Sequence, residues 1–175
     1  MKVKVKFISD KAKELYLKAS EGESIFPFKK HKSDFCYDVV ATSCEEIAPN
    51  VYKYGIGLSF QIKRGLEPIE EDERNLFKVL IMANSPLRLS IDFRPRSSVW
   101  KTGMVLSNST GTIDEDYRGE VSAIFYHLLP DMPIYKVGDR IGQIKIGVTL
   151  PIDFVEADSL EKTERGEGGF GSTGR

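Results

Sequence analysis

The sequence predicts an all-β domain, a sandwich or barrel, with one short helix near its N-terminus. Three observations lead there. Residues 37–152 run as short hydrophobic segments rich in β-branched and aromatic side chains, separated by Gly, Pro, Asn or Asp. Ahead of them, Val3, Val5 and Phe7 alternate with Lys2, Lys4 and Lys6, the period of a strand with one buried face. Helical periodicity shows over residues 11–20. With 175 residues and 41% hydrophobic positions, the chain can bury one sizeable core, so one domain is expected.

The first element is the strand of Val3, Val5 and Phe7, whose outward lysines discourage edge pairing. Asp10 is the expected N-cap of the helix, in which Ala12, Leu15, Tyr16 and Ala19 fall at helical spacing and Gly22 follows as a stop. The β-rich runs then include residues 56–62, 78–82, 87–93, 121–128 and 141–148. Between them, residues 63–86 place Glu70-Glu71-Asp72-Glu73 beside an apolar run, which reads as an insertion: a solvated loop leading into an extra strand. From Pro151 onward only Ile152, Phe154, Val155, Leu160 and Phe170 are available for burial, too few for that segment to fold alone. The expected organisation is a β domain over 1–162 and a flexible, glycine-rich C-terminal arm over 163–175.

The formal net charge is −1, and the longest basic cluster is Lys29-Lys30-His31-Lys32. A surface for long nucleic acid would carry a stronger positive bias, so that partner is not expected. Cys36 and Cys44 are too few for a disulfide framework and lack metal-ligand spacing, which fits a reduced compartment. No apolar run reaches the length of a membrane span or a signal segment, so a cytoplasmic protein without a membrane partner is expected. His31 and His127 stand alone, as a surface and a sheet residue, and Trp100 is expected to pack near Pro95-Arg96-Ser97-Ser98.

Three segments carry groups suited to chemistry. The tail Arg165-Gly166-Glu167-Gly168-Gly169-Phe170-Gly171-Ser172-Thr173-Gly174-Arg175 has a phosphate-clamp composition. Its glycines let backbone N–H groups approach anionic oxygens, and Arg165, Ser172 and Thr173 add donors. It is not a P-loop, since the Gly-Lys-Ser/Thr ending is absent, and on its residues alone it is equally a disordered tail. The segment Gly111-Thr112-Ile113-Asp114-Glu115-Asp116-Tyr117-Arg118-Gly119 sets three carboxylates and an aromatic between glycines. Such a turn either stays solvated or activates water or holds a divalent cation. Arg94-Pro95-Arg96-Ser97-Ser98, just after a predicted strand, either positions phosphate oxygens or merely ends the strand.

In order along the chain, these segments resemble the motifs of the trimeric dUTPase family. The family's Ala-Gly-Tyr-Asp-Leu type motif is matched by Phe35-Cys36-Tyr37-Asp38-Val39, and its second motif by Pro95-Arg96-Ser97-Ser98. Asn108-Ser109-Thr110-Gly111 continuing to Gly119 is similar to the third, Gly138-Asp139-Arg140-Ile141-Gly142-Gln143 to the fourth, and the tail from Arg165 to the fifth. The resemblance implies a distorted β-barrel or jelly-roll subunit of the dUTPase β-clip type, and a homotrimer whose three active sites each draw on three chains. It implies hydrolysis of dUTP to dUMP and pyrophosphate with Mg²⁺, by water attack on the α-phosphorus, which keeps uracil out of DNA and supplies dUMP.

Residue by residue, the resemblance implies Asp114 as general base, Ser97 as donor to the oxygens between the α- and β-phosphates, and Arg96, Ser98 and Gln143 at the phosphates. A β-hairpin at Asn108 and Gly111 reads uracil through its backbone, and Tyr117 packs under the deoxyribose. Phe170 stacks over the base as the arm closes, with Arg165, Gly171, Ser172 and Thr173 on the phosphates, and Asp38 contacts Mg²⁺ through water.

Phe35 and Cys36 depart from the family's Ala and Gly, Ser98 stands at a position that is often Gly, and the 63–86 insertion has no counterpart in the minimal pattern. Two rivals are weighed. A dCTP deaminase of the same fold needs a glutamate where Ile124 stands and an arginine where Lys101 stands, and residues 121–129 hold no carboxylate. A regulatory module that senses nucleotide without turnover fits poorly with Asp114, Ser97 and Phe170 all present.

Overall fold

The computed structural model describes residues 3–62 and 88–168. The 63–86 insertion, the run at 78–82, Phe170, Gly171, Ser172 and Thr173 therefore lie outside the described residues. Within them the chain is mostly β. Strand β1 (Val3–Phe7) leads into helix α1 (Asp10–Ala19), followed by β2 (Tyr37–Val40), β3 (Glu45–Ala48), β4 (Val51–Gly55) and β5 (Leu58–Ile62). After the undescribed stretch come β6 (Arg88–Pro95), a 3₁₀ turn over Ser97–Thr102, β7 (Met104–Leu106), β8 (Gly111–Ile113), β9 (Ser122–His127) and β10 (Arg140–Thr149).

The described strands form three sheets, in the orders β1-β5, β2-β10-β6-β8 and β3-β4-β9-β7. All strand pairs are antiparallel. The period-two pattern at the N-terminus is realised in β1, where Val3, Val5 and Phe7 are half-buried against β5 and the lysines between them are exposed. The two larger sheets face each other through aromatic side chains. Phe93 of β6 meets Phe125 of β9 edge-on at 6.4 Å, and Phe125 also meets Tyr54 at 5.9 Å and Tyr135 at 5.7 Å. Full burial of such side chains contributes roughly 1.5–3 kcal/mol each, which makes this cluster the main fastening between the sheets.

Gly142 and Gly57 are among the glycines that permit close approaches a side chain would block. A Cβ on Gly142 would lie 2.1 Å from Phe93 Cζ, so β10 passes directly against the Phe93 ring. Gly57 has φ +69°, and a Cβ there would meet Ala12 Cβ at 2.7 Å, so α1 packs tightly onto the turn before β5.

The helix lies where its spacing predicts, with Ala12 and Tyr16 buried. The N-cap is Ser9 rather than Asp10: the Ser9 hydroxyl accepts the Ala12 N–H at 3.3 Å, while Asp10 is the first helical residue. Asp10 instead pairs with Lys13 at 2.8 Å, which holds its carboxyl below the ordinary carboxylate range. The buried Tyr16 hydroxyl donates to Ile56 O at 3.2 Å and accepts the Val40 N–H at 3.3 Å, pinning the helix to β2 and the β4–β5 connection. Two further expectations are corrected. Trp100 follows Pro95-Arg96-Ser97-Ser98 on the 3₁₀ turn but is 67% exposed, so within one chain its ring is solvated rather than packed there. The Asn108–Gly111 segment is not a hairpin between paired strands, because β7 pairs with β9 and β8 with β6; the turn carries the chain from one sheet to the other.

Candidate active site

The first functional group gathers around Asp38 on β2. Its backbone is fixed on both sides: Gln143 of β10 stands opposite it in register, and Phe28 forms an isolated antiparallel bridge with it. The side chain is buried, with the residue only 6% exposed. Asp38 Oδ2 accepts from Arg140 Nη1 at 3.0 Å, and Oδ1 lies 3.3 Å from Arg96 Nε. That buried Arg96 N–H forms an ion pair with Asp38 without a well-aligned hydrogen bond among the described residues, at the wall of a pocket. The pocket has a volume of about 310 Å³ and includes Arg96, Arg140, Gln143 and Asp38 in its lining. Ser97 follows Arg96 as the exposed first residue of the 3₁₀ turn, with Ser98 half-buried behind it.

The second group follows β8. Asp114 and Tyr117 line a hollow with Thr112, Glu120 and Ser122, and Asn108 and Gly111 line an adjoining one that shares Thr112, Ile113 and Ser122. Asp114 is exposed, and its carbonyl accepts the Tyr117 N–H at 3.2 Å, closing a tight turn. The Tyr117 hydroxyl donates to Glu120 O at 3.0 Å, so the ring is held while 48% of the residue stays accessible. The Glu120 carboxylate accepts the Gly57 N–H at 2.8 Å and ties the end of this loop to the core. Ser109 takes φ 58° in the turn after β7, and Asn108 and Gly111 on either side of it line the hollow.

One chain does not bring the two groups together. Tyr37, Ile144, Phe93 and Gly111 form a single row across β2, β10, β6 and β8. With about 4.8 Å between neighbouring strands, Gly111 stands roughly 14 Å from the β2 edge where Asp38 begins its pocket. The two groups therefore occupy opposite edges of the same sheet. Arg165 belongs to neither pocket: it sits in an exposed turn where its Nε donates to Gly168 O at 2.9 Å.

Reasoning from residue type passed over Arg140 and Glu120 as individual site residues. The signal for Arg140 was its place in Gly138-Asp139-Arg140, where the Asp139 carboxylate is already engaged by the Lys136 N–H at 2.7 Å and leaves the guanidinium free for Asp38. No local pattern marks Glu120, since its partner Gly57 lies 63 residues earlier.

A family model described as dUTPase matches residues 52–174, which takes in nearly all of β4, the strands from β5 to β10 and the β8 edge of the row, while β2 lies ahead of it. The chain belongs to the dUTPase family. Among curated relatives, a deoxyuridine 5'-triphosphate nucleotidohydrolase of Hydrogenobaculum sp. is 43% identical over 103 residues, 58% of this chain and 72% of its own length. One from Clostridium kluyveri is 35% identical over 162 residues, 92% of this chain and 98% of its own. A solved structure of the Staphylococcus bacteriophage 80alpha dUTPase with dUpNHpp superposes with a TM-score of 0.67 at 20% identity, covering 99% of each chain, which establishes the shared fold. The dUTPase fold thus accounts for the jelly-roll-like sheets and for the single short helix among the described residues.

Proposed function

We propose that this chain is a dUTP diphosphatase that hydrolyses dUTP to dUMP and pyrophosphate. The observation that carries the proposal is the composition of the two edge groups. One offers the guanidinium groups of Arg96 and Arg140, suited to phosphate oxygens, and the other a turn carboxylate beside an accessible tyrosine ring and a hollow lined by Asn108 and Gly111.

The assigned chemistry follows from what each residue can do. Asp114 accepts the proton of the water that attacks the α-phosphorus, and pyrophosphate leaves in line. Ser97 donates to the oxygens between the α- and β-phosphates, where charge grows as that bond breaks. Arg96, Ser98 and Gln143 hold phosphate oxygens. Backbone groups at Asn108 and Gly111 pair with uracil, and the Tyr117 ring lies under the deoxyribose and excludes a 2′-hydroxyl. The arm of residues 163–175 closes the site, with Phe170 over the base and Arg165, Gly171, Ser172 and Thr173 at the phosphates.

Mg²⁺ is the cation we assign. The protein side fits an ion held mainly by phosphates and water, since both oxygens of Asp38 already face arginines and a water-mediated contact is what remains to them. When bound, Mg²⁺ offsets phosphate charge and fixes the geometry of the phosphate chain.

The separation of the two groups supports a homotrimer in which each site combines one edge from one copy with the opposite edge of another. An apolar run from the end of β10 onward is available for that assembly: Val148, Leu150, Ile152, Phe154 and Val155 are all exposed in a single chain.

Pyrophosphate release from dUTP, dCTP, dTTP and UTP, measured in parallel with and without Mg²⁺ while monitoring ammonia, tests the assignment. Selective, Mg²⁺-stimulated release from dUTP is expected. Ammonia from dCTP, or silence on all four, overturns it.

A further inference from the structure

Lys29, Lys30 and His31 line the same pocket as Asp38, Arg96, Arg140 and Gln143, although none of the three belongs to the motif segments. They stand on the loop between Phe28 and Asp38, which is fixed at both ends. At its base the Asp38 N–H donates to Phe28 O at 2.7 Å and the Phe28 N–H donates to Asp38 O at 3.3 Å. At its tip the Asp34 carboxylate accepts the His31 N–H at 2.9 Å, and the Asp34 N–H donates to His31 O at 3.0 Å. The loop is therefore built to hold its basic side chains at the pocket, and is more than a solvated excursion.

The charges in that lining do not balance. Its two carboxylates are Asp34, engaged by the His31 backbone, and Asp38, engaged by Arg140 and facing Arg96. Against them stand four permanent cations, Lys29, Lys30, Arg96 and Arg140, a surplus of two positive charges before His31 is counted. The Lys29 ammonium lies 4.7 Å from the centroid of the Tyr37 ring. Lys30 is exposed and has no carboxylate partner among the described residues. A concave surface with excess positive charge concentrates multivalent anions.

We propose that the 29–32 loop is an additional phosphate-binding element of this chain, with Lys30 as its principal contact and a polyphosphate chain as its ligand. The element acts on the phosphates rather than the base, since the groups it faces are Arg96, Arg140 and Gln143. The assignment of that polyphosphate to dUTP rests on the proposed function; the anion site itself does not. Because Lys30 is exposed, the loss is discounted to about three- to tenfold in affinity.

The test is calorimetric binding of inorganic tripolyphosphate, with Mg²⁺, to the parent, Lys30→Gln and Lys30→Arg proteins, alongside KM and kcat for dUTP. Tripolyphosphate binding about three- to tenfold weaker in Lys30→Gln, restored in Lys30→Arg, with a raised KM for dUTP and little change in kcat, is the expected result. Equal binding and equal KM in all three proteins overturns the proposal and leaves dUTP hydrolysis standing. Lysine-dependent tripolyphosphate binding in a parent that releases no pyrophosphate from dUTP supports the anion site and removes the proposed function instead.

Discussion

The Tyr117 hydroxyl donates to the Glu120 carbonyl at 3.0 Å, so the residue proposed to lie under the sugar is held by a residue whose own carboxylate is anchored to Gly57 N–H at 2.8 Å. Glu120→Ala removes the anchor. The expected outcome is a several-fold narrower preference for dUTP over UTP, with a smaller effect on kcat for dUTP, and retention of the preference in Glu120→Gln, whose amide oxygen can still accept. Steady-state kinetics on both nucleotides separates this from a general loss of stability, which would lower both activities together.

Asp114→Asn replaces the proposed base with a group that cannot accept the water's proton. Turnover is expected to fall by about 10²–10⁴. Binding of dUpNHpp, followed by calorimetry, is expected to survive because the phosphate-edge residues are untouched. Turnover within a few-fold of the parent would remove Asp114 from that role.

Gly142→Ala drives a methyl group into the Phe93 ring and towards Arg94 O, 2.9 Å away. Overpacking of this kind costs about 1–3 kcal/mol. Urea denaturation should show the loss as a lower midpoint with an unchanged slope. The displacement lies next to Gln143, so phosphate affinity should fall with it.

Burial raises the hydroxyls of Tyr16, Tyr54 and Tyr135 above the ordinary phenol value of 10.0. The folded state therefore keeps protons that the unfolded chain begins to lose near pH 10, and the associated stability is complete below that pH and is lost as pH rises beyond it. Tyr16→Phe removes one titrating group. Its stability should be lower than the parent's by about 1–3 kcal/mol at neutral pH, because Ile56 O and Val40 N–H lose their partner. Above pH 10 it should fall less steeply than the parent's, by about 1.4 kcal/mol per pH unit. Parallel alkaline-denaturation slopes would contradict this.

The buried hydrophobic core ends at Ile144, and residues 150–168 contribute no strand or helix among the described residues. Truncation after Glu164 should therefore leave the thermal midpoint within a few degrees of the parent's and the proposed trimer intact, while abolishing dUTP turnover. A truncated protein with full turnover would take the proposed closing role away from the arm.

Local pattern carried the fold a long way and stopped where partners come from far along the chain. The lysine alternation of β1 and the Ala12/Tyr16 face of α1 are short-range signals, and both are realised. Moving the cap from Asp10 to Ser9 is a one-residue matter of which oxygen reaches the Ala12 N–H, and both residue types suit the position. Strand β3 is exposed along its whole length and carries no hydrophobic period to betray it. At the site, Asp38, Arg96 and Gln143 were each legible by type and motif, and they share one pocket. That Arg140 completes the set, and that Asp114 stands at the opposite edge, depends on strand order, which residue spacing does not encode.

The ion pair between Asp38 and Arg140 joins residues 102 positions apart, and among the described residues β10 is the one strand paired with β2. Contacts this distant in sequence form late, because a long loop must close before they contribute. During synthesis the anion pocket therefore has no wall on the β10 side until residues around 143 have been added. A nascent chain can complete β1, α1 and β5 while remaining indifferent to nucleotide, and gains affinity only once nearly the whole domain is available to fold. Nucleotide should accordingly leave the early phases of refolding unchanged and, in a separate unfolding experiment, slow unfolding of the finished domain, as expected of a ligand that recognises only the finished sheet.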